Sequence, residues 1–267
     1  MERTPGRRGR HTSESAMALN VSRRPIVHRH HHIVEGVLWM VGVVILGIVG
    51  MVVHTHPAPW PFEVAFTKMI QGPHPIPCTS AWVHQSQVDA YADFISSLDD
   101  PIPTVVIPLF WMGVLVLLRW FRRALLLGVA VLSGIILWDG LTVLVDRPRP
   151  SATTSICVHR MINAFSFPSG HVIHDGILYG FLLYLSFLPL MRAWRYRWVV
   201  LPFQVLVVLY LLALGFSRLR AGEHWLIDVL GGYLTAVLWL FLFIFLDRWI
   251  TNLLAAYCAK HVAVRGA

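Results

Sequence analysis

The sequence contains few charged residues and few cysteines. Only 13% of its 267 residues are charged, and three are cysteine. Water-soluble domains carry about a quarter charged residues, so this composition does not fit a soluble globular domain. Three cysteines are too few for a small scaffold held together by several disulfides. What remains is an apolar chain, 56% hydrophobic with a mean hydropathy of +0.62, which predicts an integral membrane protein.

The net charge of +8 is distributed as in a membrane protein. Positive residues are concentrated near the N-terminus and in short connections between apolar runs, without a basic stripe that alternates with aromatic residues. We therefore expect no nucleic-acid partner. Residues 1–29 lack apolar periodicity and predict a disordered basic cytoplasmic tail. A histidine cluster at the end of this tail could bind a metal, although a polar flank at the membrane surface is the simpler interpretation; it consists of His28, His30, His31 and His32.

Six apolar runs are close to the length of about 20 residues that a membrane-spanning helix needs. They predict an all-α bundle of six transmembrane helices over residues 33–53, 103–118, 124–145, 172–191, 198–216 and 226–246. The membrane domain is predicted over residues 30–250, followed by a cytoplasmic tail over residues 251–267. The loop of residues 54–102 becomes amphipathic around residues 88–98, which indicates a short interfacial helix.

Clusters of arginine all fall on one predicted side of the membrane. They precede the first run, separate the second from the third and the fourth from the fifth, and follow the sixth. The positive-inside rule makes that side cytoplasmic and places both termini there. Three groups of ionisable residues then face the outside, at residues 146–150, 167–171 and 217–228. Ionisable groups beside a bilayer indicate function, so we expect an extracytoplasmic active site in a multi-pass protein of the cell membrane.

The third group pairs a histidine with an acid at helical spacing. His224 and Asp228 are four residues apart, so they lie on one face of a helix that begins near His224. Asp228 can accept a hydrogen bond from one ring nitrogen and leave the other nitrogen basic. Arg218 supplies a planar guanidinium group suited to phosphate. A helix cap with a hydrogen-bonded histidine is the alternative interpretation.

The first group follows the third apolar run, which Pro148 and Pro150 end because proline lacks an amide donor. Arg147 and Arg149 are thereby held at the membrane surface on an extended segment. Two arginines in this position could clamp a phosphate. They could also bind lipid headgroups or backbone carbonyls.

The second group stands where the fourth helix is predicted to begin. Gly170 lets the backbone approach a ligand closely, and the helix N-terminus offers amide donors to an anion. Ser169 can cap the helix or donate its hydroxyl to a phosphate oxygen. His171 is placed as a general acid on the first turn. An ordinary helix start with a serine cap would have the same sequence.

Taken in order, the three groups read Arg-Pro, Pro-Ser-Gly-His and Ser-Arg-x5-His-x3-Asp. This order and spacing resemble the type-2 phosphatidic-acid phosphatase superfamily. Its members are membrane lipid phosphate and undecaprenyl-diphosphate phosphatases, and its fold is shared with vanadium haloperoxidases. The resemblance covers roughly residues 124–246.

The resemblance implies metal-independent hydrolysis of a phosphoric monoester or diphosphate through a phosphohistidine, without a cofactor. His224 would be the nucleophile, Asp228 would orient it, and His171 would protonate the leaving oxygen and then activate water. The phosphate would be held by Arg149, Ser169, the Gly170 amide and Arg218. The substrate would be a membrane lipid phosphate such as phosphatidate (phosphatidic acid), phosphatidylglycerol phosphate or undecaprenyl diphosphate.

One position departs from the family pattern. Thr142 stands where the family usually has a lysine, seven residues before Arg149. Its hydroxyl could still bind phosphate, and the missing charge could come from Arg147, Arg160 or Arg220. The departure leaves a non-catalytic scaffold of the same fold open. The motifs also do not separate a hydrolase from a lipid phosphotransferase that uses an alcohol acceptor.

A metal site is a further alternative, because His171 and Asp175 repeat the spacing of His224 and Asp228. The adjacent arginines favour phosphate over a metal ion.

Three other polar positions have open interpretations. Asp139 could pair with His174, or hydrogen-bond to a nearby backbone group or water. Cys78 and Cys157 both fall on the outer side and could form a disulfide or remain unpaired.

Overall fold

The structure is a computed structural model that describes residues 11–72, 86–98, 100–151, 156–160, 162–195 and 197–265. Within these ranges, residues 11–32, 192 and 259–265 are described by their backbone alone. Every regular element in the described part is helical, which confirms the all-α prediction. The elements are α1 (His11–Thr55), α2 (Pro61–Gln71), α3 (Gln87–Ser97), α4 (Pro101–Leu117), α5 (Phe121–Val145), α6 (Gly170–Ser186), α7 (Pro189–Ala193), a 3₁₀ turn (Arg197–Val199), α8 (Val200–Arg220) and α9 (Leu226–Arg265).

Several of these helices are long and apolar enough to cross a membrane. In the described part there are four such segments, Ile33–Thr55, Phe121–Val145, Arg197–Arg220 and Leu226–Cys258. Helices α3 and α4 meet at a bend of 62° and make a fifth if the pair is one span. Helix α6 has 17 residues, fewer than the roughly 20 that a span needs. Six spans and cytoplasmic termini therefore stay predictions.

The ends of the chain differ from the predicted tails. Helix α1 begins at His11, inside the predicted tail of residues 1–29, and α9 continues to Arg265, through the predicted tail of residues 251–267. By the density of its internal contacts the chain divides into two units, residues 1–44 and 45–267. Helix α3 lies where a short helix was predicted over residues 88–98, and its interfacial position stays a prediction. Helix α2 was not predicted.

Helix α2 has its polar side chains inside the protein. Glu63, Thr67 and Gln71 follow one another at four-residue intervals and are all buried, whereas Phe62 and Met69 are exposed. This arrangement is the reverse of a helix on a soluble protein, and it fits a helix whose outer face meets lipid. Hydrophobic periodicity does not identify such a helix, so residues 61–71 were predicted to be part of the loop of residues 54–102.

Helix α6 is the central helix of the larger unit and packs against α5, α8 and α9. Its buried residues run from Val172 to Ser186 and include nearly every position between them. At Gly176 an added Cβ atom would lie 2.6 Å from Cβ of Ala236 in α9. Small residues allow helix backbones in a membrane to approach this closely. The N-terminus of α6 is thereby fixed among its neighbours.

A small apolar cluster supports the segment before α6. Val53 at the end of α1, Val145 at the end of α5 and Phe167 are all buried and pack together. Ile227 in the first turn of α9 packs against the same cluster. The three polar segments identified in the sequence therefore share one apolar support.

Candidate active site

His224 is fully buried just before α9, and its ring nitrogens have different partners. Nδ1 lies 2.8 Å from the carbonyl oxygen of Ser166, and Nε2 lies 3.2 Å from Nη1 of Arg149. A carbonyl only accepts and a guanidinium only donates. These partners assign the proton to Nδ1 and leave a lone pair on Nε2, directed toward Arg149.

The surroundings of His224 keep its imidazole neutral. Burial, followed by the positive charges of Arg149 and Arg218, lowers the pKa of His224 well below its ordinary value of 6.5. At physiological pH the ring is therefore uncharged, and the Nε2 lone pair is available to attack phosphorus.

Asp228 supports His224 through Ser166. Its Oδ2 lies 3.9 Å from Nδ1 of His224, too far for the direct hydrogen bond expected from the sequence. The same oxygen accepts from the Ser166 hydroxyl at 2.5 Å and from the backbone N–H of Trp225 at 2.8 Å. Asp228 therefore binds Ser166, whose carbonyl accepts from Nδ1 of His224, and Trp225, which follows His224 in the chain.

Arg147 is fully buried between two carboxylates. Nη1 lies 2.6 Å from Oδ1 of Asp228, Nη2 lies 2.6 Å from Oε2 of Glu63, and the guanidinium lies 5.2 Å from the centre of the Trp60 ring. Burial disfavours its charge, but the two carboxylates outweigh that effect and raise the pKa of Arg147. The structure thus places Arg147 in the support of Asp228, with its guanidinium committed to ion pairs.

Glu63 is a site residue that the sequence analysis missed. Besides Arg147, its carboxylate accepts from the backbone N–H of Trp60 at 3.0 Å and from the backbone N–H of Ile227 at 3.1 Å. It therefore connects the start of α2 to the first turn of α9. A proline followed two residues later by glutamate is typical of a helix N-terminus, and Pro61 with Glu63 was the available signal.

Arg149 and Arg218 surround His224 with positive charge and share Glu223 as a partner. Arg149 donates from Nη1 to the Glu223 carbonyl at 3.0 Å and from Nε to the Ala164 carbonyl at 3.1 Å. Arg218 is 1% exposed and forms an ion pair with the Glu223 carboxylate at 2.9 Å. Two guanidinium groups beside a neutral imidazole make this region suited to a phosphate anion.

The N-terminus of α6 adds hydrogen-bond donors to the same region. Ser169 is the N-cap residue, and its backbone N–H donates to the Asp228 carbonyl at 3.0 Å. Its buried Oγ has no hydrogen-bond partner among the residues that the structure describes. The first amides of a helix lack intrahelical acceptors, so this hydroxyl and those amides can together bind an anion. At Gly170 an added Cβ atom would lie 2.7 Å from the Trp138 ring, which explains the glycine.

A cavity of about 370 Å³ adjoins Arg149 and His171. Its apolar lining includes Ile135 and Trp138 of α5 and Ile173 of α6. A mixture of apolar walls and a few cationic groups suits an amphiphilic ligand with an anionic headgroup. The charge of His171 also contributes to the low pKa of His224, so the two histidines are electrostatically coupled.

Two sequence candidates lie in other surroundings. The Thr142 hydroxyl donates to the Asp139 carbonyl at 2.8 Å, and the described lining of the cavity does not include Thr142. Arg220 binds the Asp89 carboxylate at 2.7 Å and a carbonyl oxygen at the end of α2. The structure brings the other predicted residues together around His224 and the start of α6.

The carboxylates of the alternative metal site have other partners. Asp175 accepts a hydrogen bond from the Tyr210 hydroxyl and lies 3.1 Å from Nδ1 of His174, which the sequence offered as one of several partners for Asp139. Among the described residues, no group of three or more histidine, cysteine, aspartate or glutamate side chains could hold a metal ion.

Cys157 is disulfide-bonded. Cys78, whose pairing with Cys157 the sequence left open, lies outside the described residues.

Comparison with known proteins agrees with the family resemblance seen in the sequence motifs. Residues 123–251 match the family model of the PAP2 superfamily. The chain is 31% identical over 123 residues to phosphatidylglycerophosphatase B of Bacillus subtilis (strain 168). The aligned region covers 39% of this chain and 56% of that protein. The chain thus spans about half the length of this curated relative.

A solved structure shows the same fold. It is the crystal structure described as the first transmembrane PAP2 type phosphatidylglycerolphosphate phosphatase from Bacillus subtilis. The match has a TM-score of 0.62 and 19% sequence identity, and covers 79% of this chain and 96% of that one. This likeness and the long apolar helices support a multi-pass membrane protein.

Proposed function

We propose that the protein is a lipid phosphatase that works through a phosphohistidine at His224, since residues 123–251 match the family model of the PAP2 superfamily. The observation that carries this proposal is the orientation of His224, whose Nδ1 proton points to the Ser166 carbonyl and whose Nε2 lone pair points to Arg149. The reaction needs no metal ion, and it takes place at the extracytoplasmic face of the cell membrane.

The first step transfers the phosphoryl group to the enzyme. Arg149, Arg218, the Ser169 hydroxyl and the first amides of α6 bind the phosphate oxygens and stabilise the charge that they share. Nε2 of His224 attacks phosphorus as the bond to the lipid oxygen breaks. His171 donates its proton to that oxygen.

The second step releases phosphate. His171, now neutral, takes a proton from a water molecule while the water oxygen attacks phosphorus, and the bond to Nε2 breaks. Inorganic phosphate leaves and both histidines return to their starting states. Throughout the cycle the Ser166 carbonyl accepts from Nδ1 and stabilises the ring while Nε2 is phosphorylated.

The substrate is an amphiphile with a terminal phosphate. The apolar cavity beside Arg149 suits a lipid chain, and the curated relative is called a phosphatidylglycerophosphatase. Phosphatidylglycerol phosphate is therefore the first substrate to test, with phosphatidate and undecaprenyl diphosphate as alternatives. A cavity of about 370 Å³ could also admit a small alcohol in place of water, so phosphotransfer is the second candidate activity. Product analysis with added alcohols separates the two.

The experiment is phosphate release by the purified protein in detergent, with EDTA present, from each of the three lipids. His224→Ala is compared with His56→Ala, which changes an exposed histidine outside the site. Release by the parent and by His56→Ala, with none by His224→Ala, is expected. Activity that EDTA abolishes would contradict the metal-independent reaction. Absence of release and of transfer by a folded parent would favour a scaffold.

A further inference from the structure

We propose that Arg160 binds a phosphate group of the lipid substrate and that Asp100 holds its guanidinium until the substrate arrives. This inference rests on the proposed lipid phosphatase activity. Arg160, Arg149 and His171 line one cavity. Asp100 lines it as well, and its Oδ1 lies 3.1 Å from Nη1 of Arg160.

The charges of the cavity lining favour an anion. Two arginines face it, and Asp100 is the one carboxylate among its described lining residues. Arg149 donates to the neutral carbonyls of Ala164 and Glu223, and the nearby carboxylates of Glu223 and Asp228, which offset part of its charge, do not line the cavity. A lipid phosphate entering this space would therefore meet an excess of positive charge.

The ion pair between Arg160 and Asp100 can be exchanged readily. The side chain of Arg160 is 61% exposed and that of Asp100 is 34% exposed. Ion pairs this accessible to solvent are weak. A phosphate can accept two parallel hydrogen bonds from one guanidinium, which gives it a stronger bond than this single contact with Asp100. The substrate can thus displace Asp100 from Arg160.

The two other arginines considered from the sequence are committed elsewhere. Arg147 lies between Glu63 and Asp228, and Arg220 binds Asp89. Of the three, Arg160 is the one that lines the cavity. Arg160 lies in the connection between α5 and α6 and pairs with Asp100, the N-cap residue of α4, so its charge is at the edge of the cavity.

The test measures kcat and KM of Arg160→Ala, Arg160→Lys and Asp100→Asn on phosphatidate and on phosphatidylglycerol phosphate. Arg197→Ala, at an exposed position in the 3₁₀ turn, is the matched control. We expect kcat/KM of Arg160→Ala to fall about tenfold or more, the effect of losing a charged hydrogen bond. Lysine should restore part of the loss, and Asp100→Asn should leave KM unchanged or lower it.

The two lipids distinguish which phosphate Arg160 binds. An equal loss on both indicates the phosphate that is transferred, and a loss confined to phosphatidylglycerol phosphate indicates its second phosphate. Unchanged kcat/KM of Arg160→Ala on both lipids would overturn the inference while leaving the proposed function intact. An inactive parent would instead contradict the proposed function. A fall in kcat that lysine does not restore, or a raised KM in Asp100→Asn, would indicate a structural role and also overturn it.

Discussion

Nη1 of Arg147 lies 2.6 Å from Oδ1 of Asp228, and neither side chain is exposed to solvent. The same guanidinium binds Glu63, so a continuous series of contacts runs from α2 to the residues around His224. The two arginines of the Arg-Pro-Arg-Pro segment therefore have different surroundings: Arg147 supports Asp228 from behind, and Arg149 contacts the imidazole.

The first prediction concerns the buried ion pairs. Arg147→Ala should lower the stability by about 3–5 kcal/mol, because it leaves two buried carboxylates without a positive partner. The unfolding midpoint in detergent measures this effect. Arg122→Ala is the comparison, since its ion pair with Asp247 is 28% exposed on the arginine side and should matter less. Equal midpoints for the parent and Arg147→Ala would contradict the assignment.

The second prediction separates Ser166 from Asp228. Ser166→Ala removes one hydrogen bond to Asp228 but keeps the backbone carbonyl that accepts from Nδ1 of His224. We expect kcat to fall by about tenfold, as for the loss of one hydrogen bond to a charged group. Asp228→Asn should lower kcat further because it also disturbs Arg147 and the Trp225 amide. A larger loss in Ser166→Ala than in Asp228→Asn would contradict the arrangement.

The third prediction is a dependence of stability on pH. The pKa of His224 is lowered in the folded protein, so between that value and 6.5 the unfolded chain binds a proton that the folded chain does not. Stability should therefore fall as the pH drops below 6.5 and level off below the folded pKa. The comparison is the unfolding midpoint against pH for the parent and His224→Gln. His224→Gln should have a shallower slope, and parallel curves would show that His224 does not carry the effect.

The sequence predicted most of the residues around His224, but it did not predict the residues that hold them in position. Ser169 with His171, and His224 with Asp228, have spacings that fit helix starts. The predicted topology put both pairs on one side of the membrane, and the resemblance to a known family joined them into one site. The 3.9 Å separation between His224 and Asp228 was not predictable, because it depends on Ser166 entering from a loop about 60 residues earlier. A contact between residues so far apart in the chain leaves no local pattern in the sequence.

The role of Glu63 was not predicted because of the kind of helix in which it lies. It lies in a helix whose buried face is polar, and hydrophobic periodicity does not identify such a helix. The extension of α9 to Arg265 was also missed, since the apolar run ends near residue 246 and the helix continues through polar residues. The predicted apolar runs did locate α4, α5, α8 and the start of α9.

The most direct test of the central claim is detection of a phosphate covalently bound to His224. The parent is mixed with radiolabelled lipid phosphate and quenched in alkali. We predict a label that survives alkali, is lost in acid, and maps to the peptide containing His224. His224→Ala should carry none. A label on another residue, or full phosphate release by His224→Ala, would contradict a phosphohistidine at His224.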